Sequence, residues 1–287
     1  MDINKKITDI IRDKSTQLPT LPLIIENILK IAGDDKTSSE DLAGFISKDQ
    51  AMVNKILKIA NSAYFGLSKK VRSLSHAITI IGFNEVTNLT IGLNVFSIFQ
   101  KIGVRGILNM NDLWLHSIGC ALISKKIAKK IGKSDVEQSF LSGLLHDMGK
   151  VILAVYFPEE YSAVLKDANE SQAPLHLKEI EKLGLDHAMI AGMLMEQWNF
   201  PDSIAIPCRF HHNSSACPPP YRTQAIEIEV ANHLCHRAEI GRSGNSVIGN
   251  VDKIQGKLGF TSKKLDIFLS NLTEEHAIAE DFFTLIS

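Results

Sequence analysis

Gly143-Leu144-Leu145-His146-Asp147-Met148-Gly149-Lys150 sets an imidazole beside a carboxylate at the end of an apolar helical run, with a glycine and a lysine directly behind. Neighbours on an ideal helix point about 100° apart. For both side chains to reach one cation, the backbone has to turn or the cation has to lie off the helix end. Gly149 is the residue that would permit such a turn. A histidine nitrogen and an aspartate oxygen are borderline-to-hard donors suited to Fe, Mn, Ni, Zn or Mg. Lys150 adds a point charge suited to a phosphate oxygen.

Working outward, further donors recur along the chain. His116 shares a helix with Trp114, Ile118, Leu122 and Ile127. His187 opens a helix whose apolar face carries Ile190, Ala191, Leu194 and Trp198, and His211-His212 end a helix before a polar loop. If they converge, His116, His146, Asp147, His187, His211 and His212 suffice for two metal ions. Each has a plainer reading alone: His116 as a hydrogen-bonded core histidine, His211-His212 as a helix C-terminus where histidine suits the dipole. His76, His176, His233, His236 and His276 are read as structural.

The apolar periodicity is helical almost throughout. Ile3, Ile7, Ile10 and Ile11 form one stripe, and Pro19 and Pro22 then punctuate the chain before a helix over Leu23–Ala32 closed by Gly33. Thr37-x-x-Glu40 and Ser134-x-x-Glu137 read as capping boxes opening helices that reach Ile46 and His146. Further helices are expected over Gln50–Ala60, Ser75–Ile81, Glu85–Phe99, Asp112–Ile131, Pro158–Ala168, Leu175–Leu183, His187–Trp198, Asp202–His212, Thr223–Ile240, Ser262–Asn271 and Glu274–Ile286. Ser246–Ile254 is ambiguous. The fold class is all-α. The weak pattern over Lys101–Asn111, with Gly103 and Gly106, marks a boundary between an N-terminal helical subdomain, 1–110, and a second helical subdomain, 111–287.

Composition narrows the function classes. With 287 residues, 45% of them hydrophobic, and a net charge of −1, the chain is globular and lacks the basic footprint of a nucleic-acid binder. The clusters Lys69, Lys70, Arg72 and Lys125, Lys126, Lys129, Lys130 read as solvated helix faces. Cys120, Cys208, Cys217 and Cys235 form no C-x-x-C pair and fit no zinc ribbon, so reduced thiols are expected. The first residues carry no signal-peptide core. The longest apolar run, Val151 to Pro158, falls well short of the roughly 20 residues of a membrane span. A cytoplasmic protein without membrane contact is the expectation.

The chain resembles the HDOD family, a branch of the HD superfamily in bacterial signalling proteins. The resemblance rests on Leu18-Pro19-Thr20-Leu21-Pro22, Ile46-Ser47-Lys48-Asp49-Gln50, Ala60-Asn61-Ser62-Ala63-Tyr64-Phe65-Gly66 and Ser75-His76-Ala77-Ile78 in the first half. In the second half it rests on Leu113-Trp114-Leu115-His116-Ser117, the Gly143–Lys150 stretch, Gly184-Leu185-Asp186-His187, Trp198-Asn199-Phe200-Pro201 and His211-His212. It implies a helical N-terminal part packed on an HD-like five-helix core, and a regulatory module acting through ligand or protein binding, with a signalling partner. In catalytic relatives a His, an adjacent His-Asp and a later Asp bind metal. Here His116 and His146-Asp147 match that set, Lys150 matches the following lysine, and His187, His211 and His212 match histidines that hold a second ion in cyclic-di-GMP phosphodiesterases. The alternative function implied is a metal-dependent phosphohydrolase acting on a nucleotide or cyclic dinucleotide, with Asp147 and Lys150 as catalytic residues and one or two divalent ions. Two departures weigh against catalysis: Asn232 stands where the final Asp would align, and the Gly-Tyr-Pro segment after His211-His212 is absent.

Overall fold

Asn109 caps a helix of 22 residues, Met110–Ile131, by accepting the N–H groups of Asn111 and Asp112, and Gly132 ends it in the left-handed conformation at φ 66°. Its residues from Leu113 to Ile123 are buried on nearly every face except Leu115, so this helix lies inside the protein. The computed structural model describes residues 3–12, 23–32, 37–101, 106–244, 247, 257, 259, 268, 270 and 272–287. All regular structure among them is helical, which agrees with the all-α expectation.

In chain order the helices are α1 (Ile3–Arg12), α2 (Leu23–Ala32), α3 (Ser39–Ile46), α4 (Gln50–Ala60), α5 (Leu74–Ile81), α6 (Phe83–Lys101), α7 (Met110–Ile131), α8 (Val136–Leu145), α9 (Met148–Tyr156), α10 (Pro158–Glu170), α11 (Leu175–Leu183), α12 (His187–Gln197), α13 (Asp202–Arg209), α14 (Pro219–Arg237) and α15 (Leu272–Ile286). α7 is flanked by α8, α14 and α15, while α12 packs on α9 and α13. α2 to α5 gather against α6, which passes the core on to α8. α1 crosses to α12, and the Asn4 side-chain amide donates to the carbonyl of Gly184, just past the end of α11, at 2.9 Å. α15 bridges α7 and α4.

Several local expectations shift. The first capping box is Ser38 with Asp41, one residue later than Thr37-x-x-Glu40: each side chain accepts the other residue's backbone N–H. The second helix is capped by Asp135 alone, whose carboxylate accepts from Glu137 and Gln138, so Ser134 is not the cap. Serine and aspartate are comparable N-caps by type, so the helix start at Val136 is what selects Asp135 in the second case. α13 stops at Arg209, after Pro207, leaving His211 and His212 in a turn rather than on the helix. α14 starts at Pro219, earlier than Thr223, because prolines suit the first helical turn. The apolar run after the His-Asp pair is a helix of its own, α9, that periodicity did not isolate. Pro19, Pro22, Gly33, Gly103 and most of Ser246–Ile254 and Ser262–Asn271 lie outside the described residues.

Candidate metal centre

His146 and Asp147 occupy the corner between α8 and α9. Asp147 stands at the N-cap of α9 but caps nothing, so its carboxylate is free to turn inward. Gly149 serves a different purpose from the turn expected of it. It is helical, and a Cβ there would lie 2.0 Å from the His187 carbonyl oxygen; glycine is needed so that α9 can touch the start of α12. That contact brings His187 to Asp147.

The expected donors converge. Around Asp147 Oδ1 stand His187 Nε2 at 3.2 Å, His146 Nε2 at 3.4 Å and His211 Nε2 at 3.9 Å. His116 Nε2 lies 3.8 Å from Oδ2, on which Lys150 Nζ forms an ion pair at 2.7 Å. His116, His146, Asp147, Lys150, His187 and His211 are all buried, while His212 is half-buried with its Nε2 2.8 Å from His187 Nε2.

The second nitrogen of each ring decides what the first can do. His146 Nδ1 donates to the Gly143 carbonyl at 2.7 Å, and His211 Nδ1 to the Cys208 carbonyl at 2.7 Å. A carbonyl only accepts, so the proton sits on Nδ1 and a lone pair is left on Nε2. His187 Nδ1 is 2.5 Å from the Glu179 carboxylate, which also accepts the His187 backbone N–H at 2.9 Å and the Tyr161 hydroxyl at 3.1 Å. Such outward acceptors orient metal-binding histidines. Meanwhile His146 Nε2, His211 Nε2 and Asp147 Oδ1 are buried without any hydrogen-bond partner. His187 Nε2 at 3.2 Å is a nearby donor for the aspartate oxygen, and two facing imidazole lone pairs in the buried interior are costly unless a cation stands among them. The donor set therefore fits a divalent ion of the borderline class.

Electrostatics agree. Burial pushes the His146 imidazole down and His211 well down, keeping both neutral and able to ligate. Burial opposes ionisation of Asp147 too, but His146 and Lys150 outweigh it and hold its pKa well below the usual carboxylate range. Burial likewise pulls His187 down, yet Glu179, together with Asp147, carries its pKa up to about 9.

His116 differs. Its Nε2 is 3.0 Å from Asn232 Oδ1 on α14 and 3.5 Å from Cys120 Sγ, and its Nδ1 has no partner. Asn232 thus faces His116 directly, where the resemblance expected a carboxylate. Two histidines read as structural also border the site: His176 stacks on His212 with ring centroids 4.1 Å apart, and the His236 ring is 4.7 Å from His116.

A family model for the HDOD domain matches residues 18–214. The chain belongs to the HDOD domain family. An uncharacterized protein of Treponema pallidum (strain Nichols) is 26% identical over 228 residues, covering 79% of this chain and 44% of that protein. This HDOD chain thus spans under half the length of the curated relatives it matches. Its fold is that of an HDOD domain protein of unknown function from Geobacter sulfurreducens, with TM-score 0.81 and 22% identity over 97% of this chain and 98% of that one. It is also that of a candidate phosphohydrolase from Shewanella amazonensis SB2B, with TM-score 0.78 and 21% identity over 99% and 98% of the two chains.

Sequence reasoning missed Glu179, Tyr161, Cys120 and Cys235 as parts of this HDOD centre. Glu179 left a signal: it sits four residues from both Leu175 and Leu183, a carboxylate on a buried stripe. The basic clusters are solvated helix faces only in part: Lys69, Lys70 and Arg72 are exposed but lie in the loop before α5, Lys126, Lys129 and Lys130 are exposed on α7, and Lys125 is half-buried. Lys125 pairs with Glu85 and Glu137, and Lys126 with Glu275. No helix among the described residues is long and apolar enough to cross a membrane.

Proposed function

We propose that this HDOD chain is a regulatory module whose buried centre holds one divalent cation on His146, Asp147, His187 and His211, and that occupancy of the centre is passed by contact to a signalling partner. The observation that carries the reading is Asn232 Oδ1, 3.0 Å from His116 Nε2. A neutral amide stands where hydrolysis in the resembling enzymes needs a carboxylate, and it draws the His116 ring onto itself. His146, His187 and His211 each have an outward acceptor for Nδ1–H, and His116 has none. One corner is built to hold an ion, and the other lacks a charge. A bound cation would supply Lewis acidity and make a coordinated water more acidic. Lys150 anchors the Asp147 carboxylate from the opposite oxygen.

One feature favours the second reading, a phosphohydrolase acting on a nucleotide or cyclic dinucleotide. Half-buried His176, His212, His233 and His236 border the deeper donors near Lys150, a lining of imidazoles that can donate N–H groups to phosphate oxygens. In that case Asp147 and Lys150 would be catalytic.

The test is elemental mass spectrometry on protein purified without chelator or histidine tag, beside a His146→Ala/Asp147→Ala variant. The expected result is about one equivalent of Fe, Mn, Ni or Zn, lost in the variant, and no turnover of cyclic dinucleotides. Turnover that disappears with the ion would establish the second reading; folded protein without metal would overturn both. Under the second reading Asn232→Asp should raise metal affinity at the histidine–aspartate centre, and unchanged metal content and hydrolysis would count against that reading.

A further inference from the structure

His116 also faces two thiols. Cys120 follows it by four residues on α7, and Cys235 follows Asn232 by three on α14, so each helix presents two polar side chains one turn apart to the other. His116 Nε2, Cys120 Sγ and Cys235 Sγ all lie within 4.8 Å of one another. All three residues are fully buried and Asn232 is 5% exposed. The close approach depends on Gly119, where a Cβ would stand 3.0 Å from Cys235 Sγ and 2.6 Å from Ile240 Cγ2.

We propose that His116, Cys120 and Cys235, with the Asn232 amide oxygen beside them, form a separate site for a thiophilic divalent ion such as Zn²⁺. Zn–S and Zn–N bonds of about 2.3 and 2.0 Å in tetrahedral geometry place sulfur and nitrogen about 3.5 Å apart. His116 Nε2 and Cys120 Sγ are 3.5 Å apart. Charge favours this set as well. Two thiolates balance a divalent ion, so that with a neutral imidazole and a neutral amide no net charge is buried. An aspartate at 232 would leave one negative charge in excess. The asparagine that disfavours hydrolysis thus suits a thiolate site. Binding releases the two thiol protons to solvent and shifts the imidazole proton from Nε2, where it faces Asn232 Oδ1, to the unpartnered Nδ1, which frees the Nε2 lone pair.

The site shares no donor with the His146–Asp147–His187–His211 cluster, and its test separates the two. Metal-free full chain is titrated with Co²⁺. Wild type should develop a thiolate-to-cobalt charge-transfer band that C120S and C235S each lose and H146A keeps. X-ray absorption on Zn²⁺-loaded wild type needs no variant and should show a sulfur shell at about 2.3 Å beside the lighter donors. Zinc surrounded by nitrogen and oxygen alone overturns the proposal, as does a cobalt band that persists in both serine variants. The histidine–aspartate site fails on a different result: a folded C120S/C235S double variant that binds no Co²⁺.

Discussion

Two corners of one buried centre sit about one side chain apart and are finished differently. Around Asp147, three histidines are locked through Nδ1 by Gly143, Cys208 and Glu179, leaving His146 and His211 with bare Nε2 atoms. Around His116 the neighbours are an amide and thiols, and Nδ1 is bare. The first corner is built on ionised groups, Asp147 with Lys150 and His187 with Glu179, and is oriented by acceptors outside it. The second is neutral and oriented by helix packing and the Asn232 amide. A cluster of histidines is therefore not one site by virtue of proximity; what stands on the far side of each ring decides its chemistry.

Breaking the first corner has the largest effect. Asp147→Asn should abolish metal binding by His146, His187 and His211 and strand the Lys150 ammonium in the interior, costing about 3–5 kcal/mol of stability. Elemental analysis and urea unfolding of the metal-free protein read the two consequences separately. A variant that keeps its metal would show that Asp147 is not central.

The paired glycines come next. Gly149→Ala places a methyl against the His187 backbone, which cannot yield, whereas Gly119→Ala meets the side chains of Ile240 and Cys235, which can. Gly149→Ala should be destabilised by about 1–3 kcal/mol or more, with Gly119→Ala milder. Denaturant midpoints in the opposite order would contradict the packing described.

Glu179→Gln tests orientation at a distance. It keeps the shape but removes the charge behind His187, and metal affinity should fall about 10–100-fold, as measured by competition with a chelator. The parallel change at the other corner, Cys235→Ser, should leave metal binding by His146, Asp147, His187 and His211 unchanged.

The smallest effect is on pH dependence. His187 has its pKa raised from 6.5 to about 9 in the metal-free protein. A raised pKa means the folded state holds the proton more tightly. Its contribution is therefore complete below pH 6.5 and is lost as pH rises through about 9. Unfolding of the metal-free protein should weaken across that window, and less so in Glu179→Gln. Metal affinity should rise over the same window, because the ion competes with the proton.

Much of this was legible in the residues. The i, i+4 stripes located most helices because an apolar face must be buried whatever it packs against. The Gly143–Lys150 stretch and the four other histidines identified the donors because their chemistry is local to each side chain. Boundaries were less legible. Thr37 and Ser38 are both capping residues with serine slightly the better, and the observed backbone picks Ser38. α9 was hidden because Val151–Phe157 is apolar on nearly every face, which erases the periodicity that would reveal it.

Sequence by itself determined an all-α chain and a His-Asp pair at the end of an apolar helix, with Asn232 standing where the family resemblance implies a carboxylate. Tertiary structure alone decided that Gly149 is a packing residue, that Glu179 orients His187, and that Cys120 and Cys235 meet across His116. The reason is physical: helicity and donor type are properties of single residues and their near neighbours, whereas the partner of a second ring nitrogen, or of a thiol, lies on a different helix and is set only when the helices pack.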